Sequence, residues 1–169
     1  MSILIVGDSI LDGMSLSLPS AFHEFFQSAT VYVEAEVGAG TRRWYMGERF
    51  RSLVQSKHPG VVVVELGTND EGAESRAADY AEIIGLMARD ARTFGGRLIW
   101  IGPFNTDSGA RQRWEIIRRT VGSADSVDGL ALAQGLPRAP RWTPHPGRSV
   151  PGTIPSCGPH GGGEDRSDP

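Results

Sequence analysis

The sequence predicts an α/β domain on a mainly parallel sheet of about five strands, and two observations carry that prediction. Over residues 1–120, short β-branched apolar runs alternate with longer amphipathic stretches, the pattern of successive strand-helix-strand units. One run, Val61-Val62-Val63-Val64, is apolar at every position, as a strand must be when helices cover both its faces. That run belongs in the middle of the sheet.

In chain order the expected strands are Ile3-Val6, Val31-Val37, Val61-Leu66 and Leu98-Ile101. A fifth is expected near Val127-Leu132, where Asp128 and Gly129 interrupt the apolar pattern. Between them, Ser20-Ser28, Arg42-Ser56, Ser75-Phe94 and Arg111-Val121 carry the helical period, and Gly95-Gly96 supplies a stop before the fourth strand. Residues 135–169 then hold seven Gly and eight Pro, a composition that does not sustain a helix. The domain is therefore expected to span residues 1–147, followed by an extended or disordered Gly/Pro-rich tail over 148–169.

Composition narrows the function classes. With 17 basic and 20 acidic residues in 169, a net charge of -3 and no basic cluster, no face offers itself to a phosphate backbone, so nucleic acid is not an expected partner. The single cysteine, Cys157, has no intrachain disulfide partner and no zinc-type spacing. No metal or other cofactor is expected; Asp70 and Glu71 alone do not make a ligand set. Ile3-Val6 is too short for the apolar core of a signal peptide, and no stretch approaches the length of a membrane span. A cytoplasmic location is the expectation, and a phage-borne or lysis-released protein would read the same.

In a parallel α/β sheet, ligands bind beyond the carboxyl ends of the strands, so chemistry is sought in the turns that follow each apolar run. After the first strand, Gly7-Asp8-Ser9-Ile10-Leu11-Asp12-Gly13 would present a serine near the first turn of a helix, with its own N–H aimed at a developing oxyanion. A plain helix cap by Asp8 or Ser9 explains the same residues. After the second strand, Val37-Gly38-Ala39-Gly40-Thr41 lets the backbone approach a ligand and donate an N–H, and an ordinary turn fits as well. After the third, Leu66-Gly67-Thr68-Asn69-Asp70 places a neutral amide donor at the end of the central strand, where a simple Asn turn is the alternative.

Together Gly-Asp-Ser-Ile, Val-Gly-Ala-Gly-Thr and Gly-Thr-Asn-Asp resemble, in order and in the strand before each, the first three blocks of the SGNH (GDSL-type) serine hydrolase family. Leu98-Ile-Trp-Ile-Gly-Pro-Phe104 looks like that family's fourth strand and loop, so the resemblance spans about residues 1–120. It implies a flavodoxin-like three-layer α/β/α sandwich and metal-independent hydrolysis of a carboxylic ester through an acyl-enzyme. Ser9 would be the nucleophile and the first oxyanion donor, Gly38 the second donor with Gly40 its rival, and Asn69 the third. The implied partner is a small-molecule ester, such as an acylated glycan or lipid.

The family's last block, Asp-x-x-His, does not occur. The best match is Trp142-Thr143-Pro144-His145-Pro146, with Trp where Asp is expected, which makes His145 the candidate base and His160 the second choice. A serine hydroxyl needs such a base at neutral pH, and Asp125 and Asp128 are candidates to orient it. His23 and His58 are expected to face away from the strand ends. Arg42, Arg43 and Trp44 flank the second turn, while Asn105, Asp107 and Arg111 follow Pro103 and fit a loop that feeds a helix. The missing Asp also admits a second reading, a catalytically weak or inactive module of the same fold that binds a glycan or acyl ligand.

Overall fold

In the computed structural model, residues 1–104 and 107–135 are described. Five strands, β1 (Ser2–Gly7), β2 (Thr30–Ala35), β3 (Val61–Glu65), β4 (Arg97–Ile101) and β5 (Ser126–Val127), form one sheet in the order β2-β1-β3-β4-β5, with every neighbouring pair parallel. Ile3 aligns with Val61 and Gly7 with Glu65, so the ends of β1 and β3 stand side by side. The all-valine run is the central strand, as its composition requires.

Alternation along the strands sorts the core into two halves. Leu4, Val6, Val62, Val64, Leu98 and Trp100 point to one face. There they pack beneath α3 (Thr41–Met46), α4 (Arg49–Lys57), α5 (Ala77–Phe94) and α6 (Ala110–Val121). Ile3, Ile5 and Val63 point to the other, where Leu11 of α1 (Ser9–Met14) and Leu18 and Phe22 of α2 (Leu18–Phe25) cover them. Helices therefore lie on both sides of the sheet, which is the three-layer α/β/α arrangement. Among the described residues, no helix is long and apolar enough to cross a membrane.

Boundaries shift where turn chemistry overrides the apolar pattern. The segment expected as one helix over 42–56 is two, because the chain breaks at Gly47 and Glu48, and Glu48 adopts a left-handed φ of 54° before α4. A 3-10 turn (Ala73–Arg76) precedes α5. The second strand stops at Ala35 rather than Val37. The expected fifth strand over Val127–Leu132 is corrected most: only Ser126–Val127 pair with β4, and α7 (Gly129–Gly135) starts at once. Asp128 Oδ1 accepts the Ala131 N–H at 3.2 Å, so the residue that interrupts the strand pattern supports the helix start. The 147/148 boundary, the Gly/Pro-rich tail and Cys157 lie outside the described residues.

The central role of β3 and β4 sets an expectation for stability. Trp100 is fully buried and donates its Nε1–H to the Leu66 carbonyl at 3.3 Å. Urea unfolding of Trp100→Ala should show a loss of about 3–5 kcal/mol. Leu16, 94% exposed, should tolerate alanine within about 0.5 kcal/mol.

Candidate active site

The order β2-β1-β3 sends the connection after β1 to one face of the sheet and the connection into β3 over the other. In such a topology the ligand position is where the two directions part, beyond the carboxyl ends of β1 and β3. Ser9 follows β1 and Asn69 follows β3, so the topology brings their turns together.

At the first turn the two readings of Asp8-Ser9 divide between the residues. Asp8 is the helix cap: it is fully buried and its Oδ1 accepts the Ile10 N–H at 2.9 Å. Ser9, the first residue of α1, is left exposed, and neither its hydroxyl nor its N–H has a hydrogen-bond partner among the described residues. A group free of local bonds at a strand end is available to a ligand.

The second turn needs its glycines for different reasons. Gly38 has a φ of 74°, the left-handed region that side chains with a Cβ resist, and it is exposed with its N–H unpartnered among the described residues. Gly40 caps α3, and a Cβ there would collide with Asp70 Oδ1 and crowd the Asn69 carbonyl. Gly40 thus lets the second and third turns touch, while Gly38 faces outward.

Asn69 joins all three turns. Its Nδ2 donates to Asp8 Oδ2 at 3.1 Å and to the Ala39 carbonyl at 3.3 Å, the neighbours of Ser9 and Gly38. Next to it, Asp70 accepts from the Thr41 N–H at 2.8 Å, from the Thr41 hydroxyl, and from the Tyr80 hydroxyl at 3.0 Å. Burial, with Asp70 close by, holds the Tyr80 phenol well above its usual range, so it stays a donor. On the far side Arg113, fully buried, donates to the Gly67 carbonyl at 3.1 Å and pairs with Glu74 and Asp107. The hydrogen bond from Arg113 keeps the Asp107 carboxyl below the ordinary carboxylate range. The Asn69 turn is therefore fastened on both flanks.

Beneath Ser9 lies a carboxyl pair that reading by turns passes over. Glu65 ends β3, is 2% exposed, and its Oε2 accepts the Asp8 N–H at 3.4 Å. Burial, and then the neighbouring Asp8, push its carboxyl up to about 8, and burial raises Asp8 as well. The signal in the sequence is an acidic residue closing a valine strand, where lone charges are rarely buried.

The remaining candidates lie elsewhere. His23 lines a shallow depression with Pro19, Ser20, Ala29 and Val31, at the amino end of β2, and His58 ends α4 before β3, so neither reaches the Ser9 end of the sheet. Asp125 precedes β5 and pairs with Arg92 at 2.9 Å, while Asp128 follows it and pairs with Arg111 at 2.9 Å. Arg42 lines a cleft of about 100 Å³ with Asp70, Glu71, Arg76 and Tyr80 beside the second and third turns. Arg43 pairs with Glu36, and Trp44 is buried beneath Arg49. His145, Trp142, His160 and Asn105 lie outside the described residues. Among the described residues, no group of three or more His, Cys, Asp or Glu is arranged to hold a metal ion.

Solved structures share this fold. An α/β hydrolase enzyme, LAE5, from the metagenome of Lake Arreo is 15% identical over 79% of this chain and 79% of its own, with a TM-score of 0.63. An acetyl xylan esterase, AlAXEase, is 15% identical over 79% of this chain and 80% of its own, at 0.64. A lipolytic protein of the G-D-S-L family from Desulfitobacterium hafniense is 20% identical over 70% of this chain and 67% of its own, at 0.56. At these identities the likeness shows a common α/β fold. Neither protein-family models nor curated proteins match the chain.

The Asp70 latch is open to test. Asp70→Ala strands the Tyr80 hydroxyl and the Thr41 donors in a buried setting, and each orphaned group costs about 1–3 kcal/mol. A correspondingly lower urea midpoint is expected, with faster amide exchange at Thr41 and less change for Asp70→Asn.

Proposed function

We propose that the chain hydrolyses a carboxylic ester through a serine acyl-enzyme, with Ser9 as the nucleophile. The supporting observation is the convergence of an exposed, unbonded serine, two unpartnered backbone N–H groups at Ser9 and Gly38, and the Asn69 amide that ties their turns together. These are the parts acyl transfer needs: a nucleophile, and donors placed where negative charge develops. Several proteins of like fold carry esterase or lipolytic names, which supports an ester as the substrate class. The proposed substrate is a small acyl or acetyl ester, on a glycan or lipid.

In the proposed reaction Ser9 Oγ attacks the ester carbonyl as the base takes its proton. The carbonyl oxygen, now an oxyanion, is held by the N–H of Ser9, the N–H of Gly38 and one hydrogen of Asn69 Nδ2. That hydrogen is the one on the longer bond to the Ala39 carbonyl, 3.3 Å, which a charged oxygen outcompetes. Gly38 is preferred to Gly40 because it is exposed, whereas Gly40 is pressed against Asp70. The tetrahedral intermediate expels the alcohol, the base returns its proton to the leaving oxygen, and water repeats the sequence to release the acid. His145 is the proposed base and His160 the second choice.

A short-chain aryl ester assay checks this scheme. Ser9→Ala should fall to background, and Asn69→Ala should lower kcat by about 10²–10³, the cost of removing one oxyanion donor. His145→Ala should lose turnover while His160→Ala keeps it. Hydrolysis by Ser9→Ala at the wild-type rate would refute the scheme. A fluorophosphonate that leaves Ser9 unlabelled in folded protein would favour a binding module instead, a reading that the lack of a histidine at the carboxyl ends of the strands, among the described residues, keeps in view.

A further inference from the structure

The ester-hydrolysis scheme uses neither Glu65 nor the carboxyl of Asp8, yet these are two buried acids in contact directly behind Ser9. Both side chains are buried, and Asp8 gives its N–H to Glu65 Oε2 at 3.4 Å. Two buried acids this close repel one another when both are ionised, which favours a proton on one of them. The approach is tight: a Cβ at Gly7 would stand 2.8 Å from Glu65 Oε2, so glycine at that position lets the acid lie against the β1 turn.

Among the described residues, nothing nearby would keep both acids ionised. The groups that bear on the pair are each other, Asp70 beside Asp8, and the backbone N–H groups of Asp8, Ile10 and Leu11. Among the described residues, no Lys, Arg or His acts on either acid. Glu65 Oε1 is buried and, among the described residues, without a hydrogen-bond partner. The Asp8 carboxyl is held at both oxygens: Oδ1 receives Ile10 N–H and Oδ2 receives Asn69 Nδ2.

We propose that Glu65 is a positioning residue that, as a neutral acid, donates its proton to Asp8 and so fixes the Asp8 carboxylate that orients the Asn69 amide. The burial that lifts Glu65 to about 8 agrees with this assignment. Loss of the proton would set two negative charges against each other in a buried site. Asp8 would be driven from its place, and Asn69 with it. The part played by Asn69 rests on the ester-hydrolysis reading; the shared proton does not.

The sign of the pH dependence follows from the direction of the shift. A carboxyl raised from 4.5 to about 8 in the folded protein contributes stability that is complete below 4.5 and is lost as the pH rises through about 8. Glu65→Gln keeps a donor toward Asp8 and has no proton to lose, whereas Glu65→Met matches the bulk with no donor.

Three measurements test the proposal. The wild-type minus Glu65→Gln infrared difference spectrum at neutral pH should contain a protonated-carboxyl C=O band that disappears through about pH 8; its absence at neutral pH overturns the proposal. With a short-chain aryl ester, wild-type kcat should fall above about pH 8. Glu65→Gln should keep turnover without that fall, and Glu65→Met should lose at least about tenfold at every pH, a fraction of the cost of losing an oxyanion donor. Equal turnover in Glu65→Gln and Glu65→Met, or an unchanged alkaline fall in Glu65→Gln, overturns it. The Asn69 side-chain amide resonance should move in Glu65→Met and stay in Glu65→Gln; the reverse counts against the proposal. Should Ser9→Ala hydrolyse the ester like wild type, the chemical scheme fails, and the acid band and the Asn69 resonance still decide the role of Glu65.

Discussion

The arrangement at the sheet end depends on the two hydrogen bonds of Asn69 Nδ2, one to Asp8 and one to the Ala39 carbonyl. They tie three turns that are remote in sequence, and each bond has a backing. Behind Asp8 stand the α1 cap and Glu65; behind Ala39 stands the contact of Gly40 with Asp70, which Thr41 and Tyr80 hold in place. A small amide fixed this way presents its donor with little freedom left to lose, the condition under which a hydrogen bond to a developing charge is most effective.

This rigidity costs buried charge. Asp8, Glu65, Asp70 and Arg113 are all buried near the site. Arg113 is matched by Glu74 and Asp107, and Asp70 by three donors. The Asp8-Glu65 pair has no cation beside it among the described residues, and the proton proposed on Glu65 is what accommodates it. A site that keeps such a pair gains position at the expense of stability at alkaline pH, a trade expected where function depends on preorganised polar groups.

Much of the fold was legible in the sequence because both sheet faces are apolar and the strands are short and β-branched. Four of the five strands and the central place of Val61–Val64 follow from that pattern alone. The failures have local causes. A left-handed Glu48 split one helix into two, and an Asp that reads as a strand interruption proved to support the start of α7. Such events depend on single backbone angles and bonds, which periodicity averages away.

By itself the sequence determined the α/β class, the turns where chemistry would lie, and Ser9, Gly38 and Asn69 as the residues to examine there, because glycine, serine and asparagine after apolar runs are local signals. Only the tertiary structure decided that Asp8, not Ser9, caps the first helix, that Gly40 serves contact with Asp70 while Gly38 faces outward, and that Glu65 lies against Asp8. Those facts are set by the parallel register of β1 and β3, which places residues some 57 positions apart within hydrogen-bond reach. No local pattern encodes that distance. It is a property of how the sheet closes its core.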